Sequence, residues 1–136
     1  MRPKDHGRAV IHVSPDAGPI KFTKASLVDR VKSMVDAGSI VFQVGIWRGA
    51  RERSAQVLLI NGGSRDVLRW SDFRRKAMEI AATLCADMMQ HAVMVELMPS
   101  NGRYVAHTFE NDLGEDGVER QRTKAASFAD RRRRPR

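Results

Sequence analysis

The sequence predicts an α+β fold: an antiparallel sheet made from two hairpins, with a long helix and a shorter N-terminal helix packed on one face. Three observations carry this. Apolar residues recur at helical spacing around 24–37 and 72–90. β-Branched and aromatic residues gather in short runs between those stretches, where they suit a pleated surface. Turn residues punctuate the runs, with Asn61-Gly62-Gly63-Ser64 after one and Pro99-Ser100-Asn101-Gly102 after another. An antiparallel sheet covered by helices on one side satisfies both periodicities at once.

Taken in order, residues 1–8 are polar and without period, and read as a flexible N-terminus. Ala9-Val10-Ile11-His12-Val13 forms a short strand, followed by a turn through Pro15, Gly18 and Pro19. Leu27, Val31, Met34 and Val35 then share one side of a helix, with Gly38 placed to end it. Ser26 and Asp29 have capping-box-like spacing, and Thr23 is an equally good cap. Ser39–Trp47 and Ala55–Ile60 read as paired strands, joined by the charged loop Arg48-Gly49-Ala50-Arg51-Glu52-Arg53.

The clearest element is a helix from about Asp72 to Gln90. Phe73, Ala77, Ile80, Ala81, Leu84 and Met88 make its inward stripe, Ser71 is the expected cap, and Trp70 packs back on the first turn. A second hairpin follows, with strands 92–98 and 103–109. A two-residue Asn101-Gly102 turn would set Ser100 opposite Arg103. That register places Glu96 opposite His107, Met94 opposite Phe109 and Met98 opposite Val105. The domain is therefore expected over 9–109, and 110–136 is expected to be a disordered tail, acidic and then basic.

Lys and Arg number 24 against 16 Asp and Glu, for a net charge of +8 on 136 residues. Such a balance favours anionic partners without naming them. Cys85 is the one cysteine, so no internal disulfide is possible, and a reducing compartment, the cytoplasm, is the expected location. No run approaches the ~20 apolar residues that cross a bilayer, and no hydrophobic segment follows the N-terminal charges. Neither a membrane nor a secretory signal is expected.

The candidate sites follow from charge. Arg48, Arg51 and Arg53 crowd one loop, and Arg65 and Arg69 follow the second strand of its hairpin. Guanidinium groups match phosphate oxygens through paired donors, so these arginines suggest a nucleic-acid-binding edge, with Trp47 offering an aromatic plane to an unstacked base. Arg131, Arg132, Arg133, Arg134 and Arg136 would add attraction for DNA or RNA that reads no sequence. Glu96 and His107 are the best enzyme-like pair, since an imidazole beside a carboxylate suits acid–base work. No nucleophile accompanies them, and a plain cross-strand hydrogen bond is the alternative.

His6, His12, Asp5 and Asp16 match no zinc spacing, Gly62-Gly63-Ser64 lacks the Lys-Ser/Thr of a phosphate loop, and His91 reads as a helix C-terminal cap. Cys85 reads as a small packed residue, and Met88, Met89, Met94 and Met98 as adaptable packing. No cofactor or metal is expected. The resulting expectation is a small non-enzymatic accessory protein that binds nucleic acid through its loop and tail. The alternative is a homo-oligomeric assembly protein, joined through free sheet edges, whose tail binds an acidic protein partner.

Overall fold

The computed structural model describes residues 5–16, 21–35, 39–62, 67–100 and 102–110. Seven elements follow in the order β1 (Gly7–Val13), α1 (Lys24–Met34), β2 (Ile40–Arg48), β3 (Arg53–Asn61), α2 (Trp70–Asp87), β4 (Ala92–Pro99) and β5 (Val105–Glu110). The strands make one five-stranded sheet in the order β2-β3-β1-β4-β5, and every neighbouring pair is antiparallel. The first six elements run βαββαβ with β1 between β3 and β4, the split βαβ arrangement, to which β5 adds an edge strand.

Alternation along the strands decides which face the helices cover. Ala9, Ile11 and Val13 of β1, Ala55, Val57 and Leu59 of β3, and Val93, Val95 and Leu97 of β4 are all buried beneath the helices. They meet Leu27 and Val31 of α1 and Phe73, Ala77, Ile80, Ala81 and Leu84 of α2 in one apolar cluster. Burying a side chain the size of Leu or Phe contributes about 1.5–3 kcal/mol each, so this interlayer holds the sheet and helices together. The intervening strand residues face away from the helices. Val10, His12, Gln56, Leu58, Met94, Glu96 and Met98 are only half-buried there, forming a face left uncovered by the described helices.

The helix ends differ in detail from expectation. Thr23 caps α1, its Oγ1 accepting from the Ser26 N–H at 3.2 Å while Ser26 Oγ accepts from the Thr23 N–H at 3.0 Å. The pair is thus Thr23–Ser26 and not Ser26–Asp29. α1 ends at Met34 with Val35 as its C-cap, and Gly38 lies outside the described residues. α2 begins at Trp70, so Ser71 lies inside the helix and no side chain of the capping residue Arg69 bonds back. Asp5 supplies the acceptor instead: its Oδ1 takes the Trp70 N–H at 3.1 Å, placing a carboxylate at the positive end of the helix.

α2 closes at Asp87, three residues early, through a left-handed Met89 with φ of 50°. His91 is exposed beyond that end and does not cap it. Gln90 is buried, and its Oε1 accepts the Ser14 N–H at 2.7 Å. At the opposite end of the sheet the buried Asn61 joins three segments. Its Nδ2 donates to the carbonyls of Asp5 (2.6 Å) and Leu68 (2.8 Å), and its Oδ1 accepts from the Leu68 N–H at 3.0 Å.

The second hairpin corrects the expected register by one residue. Glu96 pairs with Ala106, Val95 with His107, Val93 with Phe109 and Leu97 with Val105. Because strand side chains alternate, a one-residue slip exchanges faces. His107 therefore leaves the side of Glu96 and stacks edge-on against Phe109, with ring centroids 4.6 Å apart. Met94 faces Thr108 and not Phe109, and Met98 no longer opposes Val105. The slip leaves the faces of β4 unchanged, with Val93, Val95 and Leu97 buried, and exchanges those of β5.

Candidate functional site

On the uncovered face, β1 lies beside β4, with His12 opposite Met94 and Val10 opposite Glu96. His12 and Glu96 are thus diagonal neighbours, close enough for long side chains to meet. His12 Nε2 is bonded to Glu96 Oε1 although the residues are 84 positions apart in sequence. Both side chains keep contact with solvent, at 27% and 22% exposure, so a dissolved ligand can reach them. Tyr104, immediately before β5, completes the cluster. Although exposed, it stands near enough to Glu96 that hydrogen bonding to the carboxylate, partial desolvation and the nearby negative charge raise the phenol above its ordinary 10. A donor that keeps its proton is the result.

The cluster has an apolar and amide surround. Gln56 of β3 stands opposite His12 on one side, and Met94 stands opposite it on the other. Leu58 and Glu96 flank Val10 in the next row. On β2, Trp47 is 55% exposed and its indole lies over Gly45, whose strand partner is Gln56. The face therefore offers one carboxylate with fixed donors, an amide, aliphatic side chains and an aromatic ring. Among the described residues, no three or more His, Cys, Asp or Glu side chains gather so as to hold a metal ion.

Of the arginines expected to form one edge, Arg48, Arg51 and Arg53 share one end of a hairpin, and Arg69 lies apart from them. Arg48 and Arg53 are partners at one end of the β2–β3 hairpin, with Arg51 in its turn. Arg69 follows Leu68, which bonds to Asn61 at the other end of β3. Eight residue steps of a strand separate these ends, roughly 26 Å. Arg53 is also committed locally. Its Nε and Nη2 donate to the two oxygens of Asp16 at 3.1 and 2.7 Å, and Nη2 also reaches the Phe22 carbonyl at 3.2 Å. A paired guanidinium has lost the donors a phosphate would use. Arg48, Arg51 and Arg69 are exposed, while Arg65, Arg131, Arg132, Arg133, Arg134 and Arg136 lie outside the described residues.

The Asp16–Arg53 clamp gives a pH test. Hydrogen bonds from the Arg53 side chain and then its backbone hold the Asp16 carboxyl at about 2, below its ordinary 3.8. A carboxyl lowered on folding stabilises fully above its unfolded value and loses that contribution as pH falls through the folded one. The difference in melting temperature between the wild-type chain and Asp16→Asn is therefore expected to be constant near neutrality. It should close between pH 3.8 and about 2. Thermal melts across that range by circular dichroism check it, and a gap that persists at pH 2 refutes the assignment.

Sequence reasoning found Glu96 and missed its partners. The signal for His12 was its place in Ala9-Val10-Ile11-His12-Val13, where the odd positions are all small or aliphatic and the histidine falls on the opposite face. Which strand lies beside β1 is a matter of sheet order, and no local pattern states it.

No family model matches the chain, and no curated protein matches it. Two solved structures do. A phage SAM lyase in complex with S-methyl-5'-thioadenosine is 21% identical, with a TM-score of 0.58 over 82% of this chain and 94% of that one. A phage SAM lyase in the apo state is 22% identical, with a TM-score of 0.53 over 85% of this chain and 98% of that one. The likeness is one of fold, and it extends over nearly the whole of both lyase chains. It corrects the expectation of a non-enzymatic, DNA- or RNA-binding accessory protein, and equally that of an assembly protein with an acidic protein partner. Among the described residues, no helix is long and apolar enough to cross a membrane.

Proposed function

We propose that this chain is a lyase that cleaves S-adenosylmethionine and releases S-methyl-5'-thioadenosine on the uncovered face of its sheet. The observation that carries the reading is the Glu96–His12–Tyr104 cluster, solvent-accessible on that face, in a fold shared with a phage SAM lyase. The substrate brings a sulfonium, an ammonium and a carboxylate. Its own carboxylate oxygen attacks the methionyl Cγ that carries the sulfonium, forming a C–O bond as the C–S bond breaks. The electron pair goes to sulfur, which leaves as a neutral thioether. The remaining fragment is homoserine lactone with its ammonium intact, so atoms and charge balance without water.

This chemistry sets what the residues do. Opposite charges annihilate along the reaction path, so the transition state is less polar than the substrate, and aliphatic surroundings such as Val10, Leu58 and Met94 favour it. A carboxylate at the sulfonium would stabilise the ground state more than the transition state. Glu96 therefore acts on the substrate's ammonium group, whose charge does not change. His12 and Tyr104 are positioning residues that fix the carboxylate. A cytoplasmic location, expected from a sequence with a single cysteine, belongs to the same reading.

The test is to incubate the purified full chain with S-adenosylmethionine in 18O-water and follow the products by mass spectrometry. S-methyl-5'-thioadenosine and unlabelled homoserine lactone should appear together at early times. An intact substrate, or homoserine carrying 18O from the first turnover, would sink the lyase reading.

A further inference from the structure

Trp47 is the large aromatic residue on the uncovered face that the proposed chemistry leaves without a task. It lies next to the end of β2, an edge strand, and remains 55% exposed. Its indole is turned back along its own strand and laid over Gly45. Were a Cβ present at Gly45, the ring carbons Cζ3 and Cζ2 would stand 2.8 and 3.1 Å from it, and Cη2 closer still. Only a residue without a side chain seats the ring in this way. The benzo rim of the indole thus stands over the Gly45 backbone while the residue stays open to solvent.

The seat is in line with the cluster. Gly45 is the strand partner of Gln56, Gln56 of His12, and His12 of Met94, so one row across the sheet carries the indole, an amide and the imidazole. Neighbouring strands are about 4.8 Å apart, which places the Gly45 backbone roughly 10 Å from that of His12 and roughly 14 Å from that of β4. An adenosine sulfonium extended from its purine to its amino-acid end spans a length of that order.

We propose that Trp47, seated on Gly45, is the stacking platform for the purine ring of the ligand, with Gln56 presenting its amide to the ligand between the platform and the His12–Glu96 pair. This rests on the lyase reading for the identity of the ligand's far end, but the platform itself requires only an adenine nucleoside. A ring whose benzo rim rests on the backbone loses little freedom when a purine covers it, and base–aromatic stacking tolerates any heterocycle with a π face. Discrimination between purines therefore falls to Gln56, whose carbonyl and amino groups each match one edge of adenine.

The structural alternative is that the indole does no more than cover an edge glycine. The experiment separates the two by titrating S-methyl-5'-thioadenosine into the full chain and reading tryptophan fluorescence. The Trp70→Phe variant leaves Trp47 as the single indole, and it should show saturable quenching. Methionine, which lacks the ring, should produce none. In Trp47→Phe the remaining Trp70 signal should not respond. By calorimetry, Trp47→Ala should weaken nucleoside binding about 5- to 150-fold and Trp47→Phe by less. Gly45→Ala, which retains the indole but lifts it from its seat, should weaken binding in the same direction.

With S-adenosylmethionine as substrate, Trp47→Ala should raise KM by a similar factor and leave kcat within about threefold. Equal nucleoside affinity in Trp47→Ala and the wild-type chain overturns the platform, as does absence of any binding to the wild-type chain. Quenching without turnover of S-adenosylmethionine supports the platform and removes the lyase reading. Turnover with KM unchanged in Trp47→Ala removes the platform and leaves the lyase reading standing.

Discussion

Replacing Glu96 by glutamine is expected to lower kcat/KM for S-adenosylmethionine by about 100-fold while leaving the thermal transition in place. A hydrogen bond between charged groups contributes about 1.5–3 kcal/mol, or about 10- to 150-fold. Glutamine keeps the length and the acceptor oxygen of Glu96 but removes the charge that would hold the ammonium. Because the Glu96 side chain is 22% exposed and lies outside the apolar cluster, the sheet does not depend on it for stability. Steady-state kinetics and a melting curve on the same preparation give both readouts. A loss under threefold would falsify the role assigned to this carboxylate.

The neighbours make the prediction sharper. Tyr104→Phe and His12→Gln should each reduce activity less than Glu96→Gln, since each acts through the carboxylate. Combining either with Glu96→Gln should cost little more than Glu96→Gln alone, because groups that act as a unit are not additive. Tyr104 has its pKa raised above 10, so it stays protonated through neutrality and mild alkali. An alkaline loss of rate attributable to it belongs above pH 10.

The largest stability effect is expected at Phe73. It is fully buried, and its ring lies 5.3 Å from that of Trp70, which in turn covers Gly7 at the start of β1. Phe73→Ala removes the ring from the junction of α2 with the sheet and leaves a cavity, at a cost of about 3–5 kcal/mol. For a domain near 100 residues each kcal/mol lowers Tm by about 4–8 °C, so a fall of at least about 12 °C is expected. Phe73→Leu, which refills most of the space, should fall by less than half as much. A Tm within about 2 °C of wild type for Phe73→Ala contradicts the packing described.

Much of this fold was legible because burial and period coincide. The stripe Phe73, Ala77, Ile80, Ala81, Leu84 and Met88 is buried as the 3.6-residue spacing requires, and both hairpins form where β-branched runs flank turn residues. The register of the second hairpin was not legible from Asn101-Gly102. A turn signal constrains two strands, whereas β4 answers to three constraints at once: β1 on one side, β5 on the other and α2 below. The site suffered from the same gap. Glu96 was visible as a charge within an apolar run, but His12 and Tyr104 reach it only through sheet order and a corrected slip.

The arginines divide between two places on the sheet. Their closeness in sequence suggested a common surface, yet a nine-residue strand separates Arg53 from the segment that bears Arg69. Charge counts do not record that distance. Nor did the sequence reveal that Asp16, set after a turn, would take up the donors of Arg53.

The position of β1 has a consequence for how the chain is assembled. It is the first strand made, yet it occupies the seam between the β2–β3 ribbon and the β4–β5 ribbon, bonded along its length to β3 and β4. Each ribbon closes locally, but they can be joined only by a strand that has waited for the last of them. Joining the ribbons therefore takes pairings of high sequence separation, the kind of contact that slows folding. The same geometry makes β1 a natural point of division: supplied as a separate peptide, it is the segment whose docking would restore the sheet.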